Sequence, residues 1–103
     1  MATVRQNITA LIYDKKGRLL TVGKNSYVKT HPLQAKLAAK AGDPKAVYLH
    51  AEIDAIVRCK DLRKAHTIEV LRIGKDGTLL PAKPCKICAP GIVAAGIKRV
   101  KHS

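Results

Sequence analysis

Two short segments, His50-Ala51-Glu52 and Pro84-Cys85-Lys86-Ile87-Cys88, constrain this chain more than any other feature of its sequence. One imidazole and two thiolates form a ligand set suited to Zn²⁺, and three protein ligands leave a fourth tetrahedral position open for water. Glu52 follows His50 by two residues, which lets its carboxylate reach that water without ligating the metal. The pattern predicts an open zinc site with ligands His50, Cys85 and Cys88 and with Glu52 as the catalytic residue.

The alternative is a closed structural zinc site, or a pair of buried cysteines that bind no metal. A closed site needs a fourth Cys or His, usually at a short spacing from another ligand. The remaining residues of these types form no second pair of ligands: Cys59, His31, His66 and His102. The open site is therefore the favoured interpretation.

H-x-E followed by P-C-x-x-C resembles the signature of the cytidine deaminase-like superfamily. This superfamily includes cytidine and deoxycytidylate deaminases, tRNA adenosine deaminases and polynucleotide cytidine deaminases. The resemblance covers residues 8–100 and implies a single zinc-binding domain over residues 1–103. The expected fold is a three-layer α/β/α sandwich with a mixed sheet of about four strands. Because family members usually continue beyond this point, we expect a neighbouring subunit to complete the site in a homo-oligomer.

The resemblance also implies two substrate contacts. Asn25 occupies the strand end where family members contact the sugar, although an Asn after Gly is otherwise typical of a turn. Ala51 stands where the family brings its backbone close to the base, and a large side chain there would collide. Separately, Lys29, Thr30 and His31 precede a predicted helix and offer charge and donors for a phosphate, unless they form an ordinary capped loop.

The order of hydrophobic runs and turn residues predicts a mixed α/β chain. Residues 8–13 and 18–23 form a predicted hairpin, 33–41 a helix, 67–73 a third strand and 97–100 a fourth strand. A helix over residues 50–59 is expected to bury Ile53, Ile56 and Val57 on one face. Pro84-Cys85 is expected to open another helix, with both cysteines on one side. Pro90 should kink or shift that helix, because proline removes a backbone hydrogen bond.

The charge and the composition of the chain limit the classes of partner that it is expected to bind. The chain has 20 Lys and Arg against 7 Asp and Glu, a formal net charge of +13. This excess favours a phosphorylated or polyanionic partner, or it is a generally solvated basic surface. Three Tyr with no Phe or Trp weaken the case for a single-stranded nucleic-acid binder. Three cysteines, two of them assigned to metal, fit a reducing compartment, and no signal peptide or membrane span is visible, so we expect a soluble cytoplasmic protein.

The resemblance, taken with the site residues, predicts a hydrolase. Zinc-bound hydroxide would attack C4 of cytosine, and Glu52 would carry protons to the ring nitrogen and the leaving amine. The expected reaction converts cytosine to uracil in a nucleoside or a nucleotide such as dCMP. One alternative is a deaminase acting on tRNA or single-stranded DNA, which the net charge would suit. Another is a zinc-bound binding or assembly module without catalysis, but a structural zinc has no use for Glu52.

Overall fold

The computed structural model describes residues 7–43, 45, 48–82 and 85–103. Pro84, which precedes the first cysteine ligand, lies outside these residues. The elements follow in the order β1 (Asn7–Tyr13), β2 (Leu19–Lys24), α1 (Pro32–Lys40), α2 (Ala51–Arg58), a short 3-10 helix (Leu62–Lys64), β3 (Thr67–Ile73), β4 (Leu79–Leu80), α3 (Cys88–Ala94) and β5 (Arg99–His102). None of the helices in the described ranges is long and apolar enough to cross a membrane.

Strands β1 and β2 form the predicted antiparallel hairpin. Its turn is fixed by Asp14, whose carboxylate accepts hydrogen bonds from the backbone N–H groups of Lys16 and Arg18 at 2.9 and 2.8 Å. Gly17 supplies the positive φ of 83° that closes the turn, a conformation that costs glycine little. The turn chemistry therefore fixes the register of the first two strands.

Strand β3 is the centre of a mixed, five-stranded sheet. It pairs with β1 in antiparallel register along one edge. Along its other edge it pairs first with β5, in parallel, and then with the short antiparallel β4. The predicted α/β class and the crossover to a parallel last strand are confirmed, with one strand more than expected. The last strand begins at Arg99, because Ile97 is buried in the core before the strand starts.

One face of the sheet carries the main core. Ala10, Ile12, Ile68 and Val70 point to this face and are at most 1 % exposed. Helix α2 packs on it, α3 packs beside α2, and α1 contacts α3. The opposite face presents partly buried side chains such as Leu71. The mixed sheet and its packed helices agree with the predicted α/β fold.

Helix α2 buries a different set of residues from the predicted one. Ile53 and Ile56 are buried as expected, but Val57 is 38 % exposed. The polar Glu52 and Asp54 are buried in its place. The first turns of α2 are enclosed on most sides by the sheet, by α3 and by the metal-ligand cluster, so that the simple one-face pattern fails there.

Gly23 allows α2 to approach the sheet at backbone contact distance. A Cβ atom at this position would lie 2.3 Å from the backbone nitrogen of Ala55 and 2.5 Å from the carbonyl oxygen of Ala51. Both are backbone atoms of α2, so relief requires the whole helix to move. Asp54 secures the same junction, since its Oδ2 accepts a hydrogen bond from the Lys24 N–H at 2.9 Å.

We expect Gly23→Ala to lower the free energy of unfolding by about 1–3 kcal/mol, the usual cost of overpacking. Urea unfolding followed by circular dichroism would measure the loss. Gly91→Ala is the matched control, because the added Cβ would meet only the side-chain methyl groups of Leu37 and Ile53. Gly91→Ala should cost less than Gly23→Ala. Equal losses would contradict the backbone-contact argument.

Candidate metal centre

The structure brings the predicted metal ligands together. Nδ1 of His50 lies 3.2 Å from Sγ of Cys88 and 3.5 Å from Sγ of Cys85. The candidate ligand atoms all lie within 4.8 Å of one another. Tetrahedral zinc with ordinary bond lengths separates its nitrogen and sulfur ligands by about 3.6 Å. The donor set and its spacing therefore fit zinc, and His50 offers Nδ1 as the donor atom.

His50 is held by the start of α2 and by a buried amide. It is the N-cap residue of α2 and makes no side-chain capping bond, which leaves its ring available to the cysteines. Its backbone N–H donates to Oε1 of Gln34 at 3.2 Å, and Gln34 is fully buried on α1. Sequence reasoning missed Gln34. A signal was present, because Gln34 shares a helix face with Leu37 and Ala38, where a polar residue is unusual.

The cysteines do not share one regular helix, which corrects the prediction. Helix α3 begins at Cys88, and Cys85 lies in the turn before it. The Ala89 N–H already donates to the Cys85 carbonyl at 3.0 Å, as in a helix. Pro90 has no N–H to continue this pattern, so the regular helix starts later. Pro90 thus falls in the first turn of α3, where a missing N–H disturbs little.

Hydrogen bonding divides the protons unequally between the two thiols. A hydrogen bond from Cys88, assisted by His50, lowers the pKa of Cys85 to about 3. The neighbouring Cys85 thiolate and burial raise the pKa of Cys88 far above its usual range. The hydrogen bond with Cys85 also raises the pKa of His50. Without metal, the hydrogen bond between the two cysteines therefore favours a thiolate on Cys85 and a thiol on Cys88.

Glu52 stands beside this cluster but is not one of the ligands that group together. Its side chain is 5 % exposed, and burial raises the pKa of its carboxyl above the usual range. A hydrogen bond with Cys88 acts in the opposite direction and is the weaker influence. Asp54, the other buried acid of α2, binds Lys24 N–H and Arg58 instead. Glu52 is therefore the acid at the metal site, whereas Asp54 joins α2 to the end of β2.

A cavity of about 490 Å³ opens beside the metal ligands. It is lined by Ile8, Asn25, Ser26, Tyr27, Tyr48, Leu49, His50, Ala51, Glu52, Val70, Arg72, Pro81, Ala82 and Cys85. The two substrate contacts implied by the resemblance, Asn25 and Ala51, both belong to its wall. Asn25 also has a structural task, because its Oδ1 accepts a hydrogen bond from the Ile8 N–H at 3.0 Å.

The predicted phosphate group of residues, Lys29, Thr30 and His31, does not line this cavity. His31 instead caps α1, and its Nδ1 accepts a hydrogen bond from the Leu33 N–H at 3.0 Å. Thr30 forms an isolated antiparallel bridge with Tyr48. Lys29 lines a separate hollow beside Asp54. The cap and the bridge agree with the capped-loop interpretation that the sequence left open, and the phosphate role of these residues stays a prediction.

The aromatic and cationic side chains of the wall escaped sequence reasoning: Tyr27, Tyr48 and Arg72. Two of the chain's three tyrosines lie at this wall, so the scarce aromatic side chains are concentrated at one site. Arg72 had a visible signal in the sequence. It continues the alternation of Ile68 and Val70 along β3, which places a charged residue at an inward-facing position.

A cluster of six lysines and arginines lies at the other end of the sheet. A hollow beside the β1–β2 turn is lined by Asp14, Lys15, Lys16, Arg18, Arg63, Lys64, Ala65, His66, Gly96 and Lys98. The antiparallel register of β1 and β3 places this end opposite the cavity, because Tyr13 pairs with Thr67 while Ile8 pairs with Arg72. Strands of this length separate the two ends by about 20 Å.

Comparison with known proteins agrees with this site. The sequence model of one family, described as the cytidine and deoxycytidylate deaminase zinc-binding region, matches residues 2–103. A search of curated proteins finds no match. The family match spans nearly the whole chain, and His50, Cys85 and Cys88 supply a potential site for the family's metal. The chain therefore belongs to the zinc-dependent cytidine and deoxycytidylate deaminase family.

Proposed function

We propose that the protein hydrolyses the amino group of a cytosine base in a nucleoside or nucleotide, giving uracil and ammonia. The observation that carries this proposal is Glu52, a buried carboxylate that stands beside a three-ligand metal site and lines the cavity. A structural zinc site is normally closed by four protein ligands and needs no such acid. The arrangement suits a reaction in which water is activated and a proton is moved.

Zinc bound here supplies a Lewis acid that makes water a better nucleophile near neutral pH. Glu52 accepts a proton from the attacking water and delivers it to the ring nitrogen of the base. It then takes the proton of the new C4 hydroxyl group and passes it to the amino group, so that ammonia leaves as the C4–N bond breaks and the C4 oxygen becomes the carbonyl of uracil. The raised pKa of Glu52 suits both directions of transfer, because a group that is too acidic holds protons poorly.

The cavity wall offers partners for the base and the sugar. Ala51 is fully buried at the start of α2, and its small side chain leaves room beside the metal ligands. Tyr27 and Tyr48 supply aromatic surface, which favours contact with a planar base. Asn25 brings a polar side chain to the same wall and is proposed to contact the sugar. Each of these contacts is available to a single nucleoside unit.

Deamination within tRNA or single-stranded DNA is a second candidate, favoured by the hollow of cationic residues described above. A polymer held there would have to reach about 20 Å along the sheet to present a base to Glu52. Binding of single-stranded DNA should then weaken steeply with salt, with a slope of about −0.7 for each phosphate neutralised. Fluorescence anisotropy at salt concentrations from about 50 to about 200 mM, where such losses of affinity are large, would measure that slope. A shallow slope favours the mononucleotide.

We expect Glu52→Gln to lower kcat by about 10²–10⁴-fold, the usual contribution of a general acid–base group. The amide cannot accept the water proton, whereas the metal ligands remain. Ammonia release from cytidine, deoxycytidine, CMP and dCMP would be measured together with zinc content. Loss of zinc from this variant would show that the role assigned to Glu52 is wrong.

Asp54→Asn is the matched control, because Asp54 is also a buried acid of α2 but lies outside the cavity lining. It should lower the unfolding midpoint, since hydrogen bonds to Lys24 and Arg58 weaken. Its turnover per folded molecule should stay far above that of Glu52→Gln. Equal turnover in the two variants would remove the special role of Glu52.

Zinc affinity should rise with pH. Zinc binds cysteines as thiolates. A hydrogen bond with Cys85 and burial raise the pKa of Cys88, so the Cys88 thiol must lose its proton when the metal binds. Releasing one proton strengthens apparent binding by about tenfold for each unit of pH increase. Competition with a chromophoric chelator at several pH values would measure this slope. Cys59→Ser should keep the slope, since Cys59 is not among the clustered ligands, and a flat profile in the wild type would contradict the assignment.

A further inference from the structure

Arg72 is a charged residue of the cavity wall that the proposed chemistry does not use. It lies on β3, two residues after Val70, and its register partners are Ile8 on β1 and Leu80 on β4. Both Val70 and Ile8 line the cavity with it. Arg72 is partly buried, so its side chain belongs to the wall and is not simply a solvated surface cation.

No ion pair of the described residues gives this guanidinium a counter-ion. Among the described lining residues, Arg72 is the one Lys or Arg, Glu52 is the one carboxylic acid, and Cys85 belongs to the metal-ligand cluster. Ion pairs of the described chain join Arg18 to Asp14, Arg58 to Asp54 and Lys64 to Asp61, and none includes Arg72. A partly desolvated cation is costly to hold without an anion. A ligand that brings its own negative charge would supply the missing partner.

The backbone around Arg72 is fixed by Ser103. The Arg72 N–H donates to Ser103 Oγ at 3.1 Å, and Ser103 Oγ in turn donates to the Leu80 carbonyl. The Ser103 N–H donates to the Val70 carbonyl, and the Ala82 N–H donates to the Ser103 carbonyl, each at 2.9 Å. These bonds join β3 to the segments on its edge and hold Arg72 on a rigid strand. A binding residue placed on a rigid element loses little freedom when a ligand arrives.

We propose that Arg72 binds the phosphate of a nucleoside monophosphate, so that the substrate is a cytosine nucleotide in preference to the bare nucleoside. This inference rests on the proposed deamination. The planar guanidinium presents paired N–H donors that match phosphate oxygens. The one cationic side chain among the described lining residues suits one phosphate group, whereas a polymer would be expected to meet several.

The test compares dCMP with deoxycytidine, which differ by the phosphate alone. In the wild type, kcat/KM should be higher for dCMP. Arg72→Gln should lower the ratio of the two kcat/KM values by about tenfold to a hundredfold, the usual effect of losing a charged hydrogen bond. Arg72→Lys should recover part of the ratio, because the charge remains without the paired donors. Lys75→Gln is the matched control, since it removes the same charge from an exposed turn outside the cavity lining, and it should keep the wild-type ratio.

A binding measurement separates this inference from the deamination itself. Calorimetry with zinc-loaded Glu52→Gln protein should show tighter binding of dCMP than of deoxycytidine, and the added change Arg72→Gln should abolish the difference.

If both compounds are deaminated and Arg72→Gln keeps the wild-type ratio of the two kcat/KM values, the phosphate role of Arg72 is overturned and the deamination stands. If no cytosine compound is turned over, the deamination fails, and calorimetry still decides the phosphate role. Turnover confined to single-stranded DNA would also overturn the phosphate role of Arg72. Should Arg72→Gln not fold, a wild-type ratio at or below one contradicts the inference, and the Arg72→Lys ratio tests it directly.

Discussion

The contact between Gly23 and α2 is the constraint on which the rest of the structure depends. Here the backbone of a strand meets the backbone of a helix, with no room for even a methyl group between them. The N-terminus of that helix carries His50 as its cap and Glu52 in its first turn. The same packing that closes the core therefore also sets how far the histidine ligand and the acid stand from the sheet. The stability of the fold and the geometry of the metal site both depend on the contact between Gly23 and α2.

The chemistry of the site was more predictable from sequence than its surroundings were. His50, Cys85 and Cys88 could be recognised because few residue types bind zinc and their spacing repeats a known pattern. The hairpin could be recognised because its turn residues act locally. Gln34 and Arg72 were missed because their roles depend on which distant element lies opposite them. Alternation along a strand tells which side a residue faces, but not whether a core or a cavity lies there.

Lys29, Thr30 and His31 suit a phosphate by residue type, and the sequence left an ordinary capped loop open as the alternative. The phosphate role stays a prediction. In the structure His31 caps α1 and Thr30 forms a backbone bridge with Tyr48, so two of the three residues contribute to local backbone structure. A polar residue before a helix more often serves the helix than a ligand. Position relative to the cavity, not residue type, separates these residues from Arg72.

Six of the chain's 20 lysines and arginines line one hollow, beside the β1–β2 turn. The lysines and arginines around the β1–β2 turn lie at one end of the strands, and the cavity opens at the other. A polyanion bound in that hollow would leave the mouth of the cavity uncovered, so binding there would not block the access of a small solute to the metal ligands.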